Sequence, residues 1–284
     1  MKTILSSIID IHLREPSKVF NIIRETSQEI ILAGLWRSGF FNHMAFHGGT
    51  SLRLFHDLNR FSEDLDFCKT DDSAMDINDV IKYINSEFKS YDLNFKVSPK
   101  TRDRGNITGF SVKGSAIDAI EAFGFPHEFM NAVDAHTIIN IKIDIDTDTP
   151  KGFGLEHMFK THPFNYSVTI LDKPSLFAAK TSAVVSRHWK NRVKGRDLFD
   201  FEWYLGNNTP INRNYLINNL CREGIISSPE ISDDELLAII TNRFDAIDYK
   251  SAISDLYPFV DNEMIPVDWS SIHFRELTKR LVFH

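Results

Sequence analysis

The chain has 284 residues, 42% of them hydrophobic and 25% charged, a balance that excludes a disordered or fibrous protein and leaves room for two domains. Lys and Arg number 32 against 39 Asp and Glu, a net charge of −7, so the surface as a whole does not attract nucleic acid and any such contact must be local. The two cysteines, Cys68 and Cys221, exclude a disulfide framework and a Cys-x-x-Cys metal site.

The first residues, Met1 to Ile9, carry a lysine and a short apolar run, but Asp10, His12, Arg14 and Glu15 end it too early for a signal peptide. The longest later apolar stretch, Ile30 to Trp36, is far short of the roughly 20 residues a membrane span needs, and the chain is expected to be cytoplasmic. Pro16-Ser17 opens a predicted helix that runs to about Ser38. Val19, Phe20, Ile23, Ile30, Ile31 and Leu35 follow its period and Gly39 stops it. It is expected to pack beside a site rather than form it.

Met44, Ala45 and Phe46 then read as the end of a buried strand, Gly48-Gly49 as a tight turn, and Thr50 to Leu58 as a short helix. Backbone N–H groups at this helix start, with the Thr50 and Ser51 hydroxyls, are expected to face an anion. In Phe61-Ser62-Glu63-Asp64-Leu65-Asp66-Phe67 apolar and polar residues alternate. A strand there puts Asp64 and Asp66 on one face, about 7 Å apart, where they can jointly hold divalent ions. An isolated Asp-x-Asp equally describes a solvated strand edge. Joined to Gly48-Gly49-Thr50-Ser51 about a dozen residues upstream, it is the layout of a site for a nucleoside triphosphate and Mg²⁺, with Mn²⁺ as a substitute. Ser62 is a further candidate for a triphosphate contact, or a strand-start hydroxyl satisfied by the backbone. His47, beside the glycines, either touches a phosphate or packs at the strand end.

Beyond the pair, Ile77 to Phe88 reads as helix, and Leu93 to Val97, Phe110 to Val112 and Thr137 to Asp146 as strands. Alternation from Ile139 onward puts Asn140, Lys142, Asp144 and Asp146 on one face. From Pro174 the pattern becomes helical: Ser175 to Arg187, Asp197 to Leu205, Ile211 to Cys221, Asp233 to Ile247 and Ser270 to Phe283 are separated by Pro, Gly and Asn. Arg187, Lys190, Arg192, Lys194 and Arg196 surround Trp189 in a basic segment that suits an RNA backbone with a stacking face, or is simply a solvated loop. Asp197 and Asp200 fall one helical turn apart, and Asp197 suits a helix N-cap.

These motifs resemble those of a known family. Gly48-Gly49-Thr50-Ser51-Leu52, then Arg60-Phe61-Ser62-Glu63-Asp64-Leu65-Asp66-Phe67, and then Lys180 followed by Arg196-Asp197-Leu198-Phe199-Asp200 are similar to the pattern of the AbiEii-type nucleotidyltransferase toxins, relatives of DNA polymerase beta in their catalytic core. The resemblance implies an α+β fold: a polymerase-beta-like nucleotidyltransferase domain over residues 1–172, then a helical bundle over 173–284 that brings Lys180 and Asp197 to the cleft. It implies Asp144 as a third metal-binding carboxylate on a neighbouring strand, with Asp146 the second choice or, alternatively, a plain strand end. Lys180, read as a solvent-facing cation, would neutralise the triphosphate, Asp197 would orient Lys180 or a substrate group, and Arg60 would join Gly48, Gly49, Thr50, Ser51 and Ser62 at the nucleotide. The expected activity is transfer of a nucleotide from an NTP to an RNA, a tRNA end above all, by a toxin with a separately encoded antitoxin. A protein or small-molecule acceptor, and a non-catalytic nucleotide-sensing module, are the alternatives.

Overall fold

The computed structural model describes residues 18–73, 75–100, 107–161, 163–187 and 193–284. Among them lie seven strands in one mixed sheet and ten α-helices, the α+β class expected. The chain forms two compact units. One comprises Met1–Ser51, Phe61–Thr149 and His157–Ile170; the other comprises Leu52–Arg60, Pro150–Glu156 and Leu171–His284.

In the first unit, helix α1 (Val19–Arg37) ends at Gly39, whose φ of 76° gives the left-handed conformation that glycine adopts without strain. A single turn, Phe40–Asn42, leads into β1 (Met44–His47), and α2 (Gly48–Phe55) follows with no intervening loop. The helix therefore opens at Gly48 itself, two residues before the predicted start. Strand β2 (Leu65–Lys69), helix α3 (Ile77–Ser90), strands β3 (Lys96–Lys100) and β4 (Ile107–Ser115), helix α4 (Ala116–Phe123), and strands β5 (Ile138–Asp146), β6 (Leu155–Lys160) and β7 (Tyr166–Leu171) complete the element order. The sheet order is β3-β4-β5-β2-β1-β7-β6. Strands β6 and β7 and helix α4 carry no strong period in sequence and were not among the predicted elements.

The predicted alternation of β5 holds: Ile139, Ile141, Ile143 and Ile145 are buried, while Asn140 and Lys142 are exposed and Asp144 and Asp146 half-buried. Helix α1 differs from an amphipathic surface helix. Thr26, Ser27, Gln28 and Glu29 are buried together with Ile22, Ile23, Ile30, Ile31 and Leu35. Its polar groups are satisfied internally, as burial requires: Gln28 Nε2 donates to the carbonyls of Ser62 and Glu63, and Lys160 and Tyr166 donate to the Glu29 carboxylate at 2.6 and 2.9 Å. At the core, Phe67 of β2 meets Phe40 at 4.9 Å and Phe46 at 5.1 Å between ring centroids, with Phe41 at 6.0 Å.

In the second unit the helices are α5 (Lys173–Ser186), α6 (Gly195–Gly206), α7 (Arg213–Arg222), α8 (Asp233–Arg243), α9 (Tyr249–Ser254) and α10 (Ser271–Thr278). Side-chain caps start most of them: Asp172 for α5, Asn212 for α7, Ser232 with Glu235 as a capping box for α8, Asp248 for α9 and Ser270 for α10. Aromatic rings fill the interior. Phe177 stacks on Tyr204 at 4.5 Å and meets Phe201 at 5.4 Å, and Phe244 stacks on Phe274 at 4.9 Å. Gly195 opens α6 against α9, where a Cβ would collide with the Ala252 carbonyl.

Because Phe67 is fully buried among three other phenylalanines, Phe67→Ala is expected to lower stability by about 3–5 kcal/mol. Chemical denaturation monitored by circular dichroism checks it. A loss below about 1 kcal/mol would show that the ring is not part of the packed core.

Candidate active site

The first unit gathers the predicted carboxylates in a row across the sheet. Asp66 is the register partner of Asp144 in the parallel β2/β5 pair, and His47 faces Asp66 from β1. Neighbouring strands lie about 4.8 Å apart, so the Asp66 and Asp144 side chains leave one face at adjacent positions. Asp64 stands one residue before β2, outside the strand itself. Its carboxyl is held above the usual carboxylate range by burial first and then by the charge of Asp66, with Glu63 and Asp144 adding to the effect and Lys142 opposing it. Clustered like charges next to partial burial raise a carboxyl in this way, and a divalent cation would relieve both causes.

The loop carrying Asp64 is braced on three sides. Thr50 Oγ1 donates to the Asp64 carbonyl at 2.5 Å, Gln28 holds the two preceding carbonyls, and Arg24 pairs with Glu63 at 3.2 Å. Ser51 Oγ donates to the Gly48 carbonyl at 2.8 Å. Both hydroxyls are thus fully buried and turned into the fold, a correction to the expectation that they face an anion. The buried helix face needs them satisfied internally, and the backbone at the α2 start is what this turn can offer. Gly48 is required there: its φ is +81°, and a Cβ would collide with Asp66 Oδ2. Helix α1 therefore takes part through Gln28, rather than only packing beside the site as expected. The signal was present as a glutamine flanked by helical apolar residues, a buried polar group with a partner to find.

Asp146 is used differently from Asp144. Its Oδ1 accepts from the Asp148 amide at 3.0 Å in the turn that follows β5, and its register partner on β2 is Cys68. Asp144 accepts from Lys100 Nζ at 2.8 Å. Among the described residues no three His, Cys, Asp or Glu side chains are grouped as a ready-made metal cage. The donor set that fits a divalent cation is the Asp64/Asp66 pair with Asp144 beside it: hard oxygen ligands with a charge excess.

In the second unit Lys180, Asp197, Asp200 and Arg60 form a largely buried ion network, joined at its edge by the half-buried Arg187. Lys180 Nζ lies 2.7 Å from Asp197 Oδ1 and 2.8 Å from Asp200 Oδ2, the pairing that their one-turn spacing allows. Arg60 grips Asp200 through Nε and Nη2 at 2.6 and 2.7 Å, a bidentate geometry. Arg187 Nε sits 2.6 Å from Asp197 Oδ2, close as an ion pair but outside hydrogen-bond geometry. Burial disfavours the charges of Asp197, Asp200, Lys180 and Arg60, and the opposite charges around them more than offset it: Asp197 and Asp200 titrate below the usual carboxylate range, Lys180 and Arg60 above theirs. Lys194, half-buried and close to Arg187, is pushed down by its partial burial first and then by that arginine's charge.

Three expectations change here. Lys180 is 13% exposed and not a solvent-facing cation. Arg187 turns toward Asp197 rather than lining a solvated basic face. Asp197 is not the helix cap, because α6 opens at Gly195 and its carboxylate is held by cations. Trp189, Lys190 and Arg192 lie outside the described residues.

This sheet with its paired carboxylates and a following helical unit is the architecture of a nucleotidyltransferase. The profile of the family described as Nucleotidyl transferase AbiEii toxin, Type IV TA system, matches residues 30–275. The chain belongs to that family, which implies a separately encoded antitoxin. Among solved structures it is similar to MenT4, the nucleotidyltransferase toxin Rv2826c of Mycobacterium tuberculosis H37Rv, at 15% identity and a TM-score of 0.57, covering 97% of this chain and 88% of that one. It is also similar to JHP933 of Helicobacter pylori, at 16% identity and a TM-score of 0.50 over 91% and 90% of the two chains. At such identities the likeness is one of fold. No curated protein sequence matches the chain. Among the described residues no helix is long and apolar enough to cross a membrane.

Removing the Lys180 ammonium would leave two buried carboxylates facing each other. Lys180→Ala is therefore expected to cost stability by about 3–5 kcal/mol, read by chemical denaturation. The pH dependence has a defined sign. Lowered carboxyl pKa values give Asp197 and Asp200 a contribution that is present above about pH 4 and lost as pH falls through their folded values, while the raised Lys180 pKa keeps its contribution below about pH 10. Wild type should thus lose this stabilisation on acidification and Lys180→Ala should lose less. Equal stability of the two proteins at pH 7 would show that the network contributes nothing to the fold.

Proposed function

We propose that the protein is a Mg²⁺-dependent nucleotidyltransferase that moves a nucleotide from an NTP onto an RNA acceptor, a tRNA end in particular, with Mn²⁺ able to replace Mg²⁺, and that it works in the cytoplasm. The observation that supports this most is the register of β2 and β5, which sets Asp66 opposite Asp144 with the perturbed Asp64 carboxyl two residues away. Asp64, Asp66 and Asp144 would hold the divalent ion. When bound, it supplies charge for the attacking and leaving oxygens of an in-line displacement at the α-phosphate.

The chain's own groups do the rest. The N–H groups of Gly48 and Gly49, with those of Thr50 and Ser51, orient the phosphates at the start of α2. Asp144 takes the proton of the acceptor hydroxyl as that oxygen bonds to the α-phosphorus, the bond to the β-phosphate breaks and pyrophosphate leaves, and Ser62 adds a contact to the triphosphate. In functional terms we take residues 1–172 as the nucleotidyltransferase region and 173–284 as the helical region. Lys180 is assigned the triphosphate charge, a role for a compact cation, and Asp197 orients it. Arg60, expected at the nucleotide, is instead buried with Nε and Nη2 committed to Asp200, so it is given no contact to the triphosphate. In the second unit Arg60, Lys180, Arg187 and Lys194 surround Asp197 and Asp200, a local positive excess in a chain of net charge −7, which favours a polyanionic substrate.

Wild type incubated with each α-labelled NTP, Mg²⁺ and total cellular RNA is expected to label RNA. Asp64→Ala and Asp66→Ala should abolish transfer, by about a hundredfold or more, while retaining the circular dichroism spectrum of wild type. Label found in protein instead of RNA would replace the acceptor, and wild-type incorporation by either variant would remove the metal assignment.

The acceptor surface is tested separately. Lys190, Arg192 and Lys194 changed together to Gln should weaken RNA binding and flatten its salt dependence by up to about 0.7 in log–log slope per lost contact. Arg187 is left intact because it serves Asp197. An unchanged slope in an RNA titration would place the acceptor elsewhere and favour a protein or small-molecule substrate.

A further inference from the structure

The carboxylate row extends one strand pair further than the site requires. Gly109 of β4 is the register partner of both Asp144 on β5 and Lys100 on β3, so Lys100, Gly109, Asp144, Asp66 and His47 run in one line across five strands. Between the lysine and the aspartate there is no side chain. A Cβ at Gly109 would collide with the carbonyl oxygen of Ile143, so the glycine is imposed by the close approach of β4 to β5. The Lys100 stem crosses this bare strip and brings its ammonium to 2.8 Å from Asp144 Oδ1. Lysine and aspartate are 22% and 23% exposed, so the pair is screened less than a surface ion pair.

A cation held on the third carboxylate of a metal site has a consequence. Before Asp144 can ligate a divalent ion it must give up, or share, the charge that Lys100 places on it. We propose that Lys100 is a charge gate on Asp144: its ammonium competes with a divalent cation for that carboxylate and sets the metal concentration at which the site loads. Lys100 is a positioning residue that acts through Asp144. The proposal rests on the reading of Asp64, Asp66 and Asp144 as metal ligands. Lysine suits the task better than arginine would in one respect, since its single ammonium on a flexible stem swings away without breaking a bidentate fork.

The test is direct binding of Mn²⁺ to the full chain, read by electron paramagnetic resonance without any nucleotide. Lys100→Gln and Lys100→Met, two uncharged variants of which the second keeps the apolar stem, are expected to lower the Mn²⁺ Kd by about tenfold relative to wild type. Lys100→Arg, which keeps the charge, should stay within about threefold of wild type. Adding Asp144→Asn to Lys100→Gln should erase the gain, because the gate acts only through that carboxylate. A Kd unchanged in both uncharged variants overturns the gate while leaving the metal site standing. Mn²⁺ binding that survives Asp64→Asn and Asp66→Asn overturns the metal reading itself, a result separable from the first.

Discussion

Asp66 and Asp144 face each other across the parallel β2/β5 pair, and most of the first unit's design follows from holding two like charges at one strand spacing. Hydrogen-bonded strands leave no freedom to separate them. Asp64 adds a third charge in a loop, and burial together with Asp66 pushes its carboxyl up. Such an arrangement costs stability unless cations share it. Lys142 lies near Asp64 and Lys100 on Asp144, and a divalent ion fits the same need. The supports around the loop, from Gln28, Thr50 and Arg24, keep the charged groups from relaxing away from one another.

The second unit solves the reverse problem. Lys180, Arg60, Asp197 and Asp200 are all removed from water, where an unpaired charge would cost several kcal/mol. Each is paired at 2.6 to 2.8 Å. Such a network is a poor source of net stability compared with an apolar core but a strict geometric device, since no member can move without stranding another. It fixes where the Lys180 ammonium sits. Arg60 belongs to this network through its two-point grip on Asp200.

Much of this was legible in the residues. Gly48-Gly49 at the start of a short helix, the alternation of β5 and the one-turn spacing of Asp197 and Asp200 are local patterns, and local patterns follow from backbone periods of 2 and 3.6; the alternation over Phe61–Phe67 overreached, since the strand begins at Leu65 and leaves Asp64 in the loop before it. Helices α5, α6, α7, α8 and α10 of the second unit were marked by the Pro, Gly and Asn between them, whereas the six-residue α9 was not. Strands β6 and β7 and helix α4 were not, because their short segments lack a strong period and take their state from neighbours in the sheet and packed against it.

What the sequence determined by itself was therefore the kind of chemistry: carboxylates in pairs, a glycine turn at a helix start, a lysine before an Arg-Asp-x-x-Asp run. Tertiary structure alone decided who meets whom. It set Asp144, rather than Asp146, opposite Asp66, turned Thr50 and Ser51 inward, buried Lys180 between two carboxylates, drew Arg187 to Asp197, and laid Lys100 across Gly109 to Asp144. The physical reason is that strand register and the burial of charge are settled by contacts between residues far apart in the chain, and no periodicity along the sequence encodes which distant partner each side chain will find.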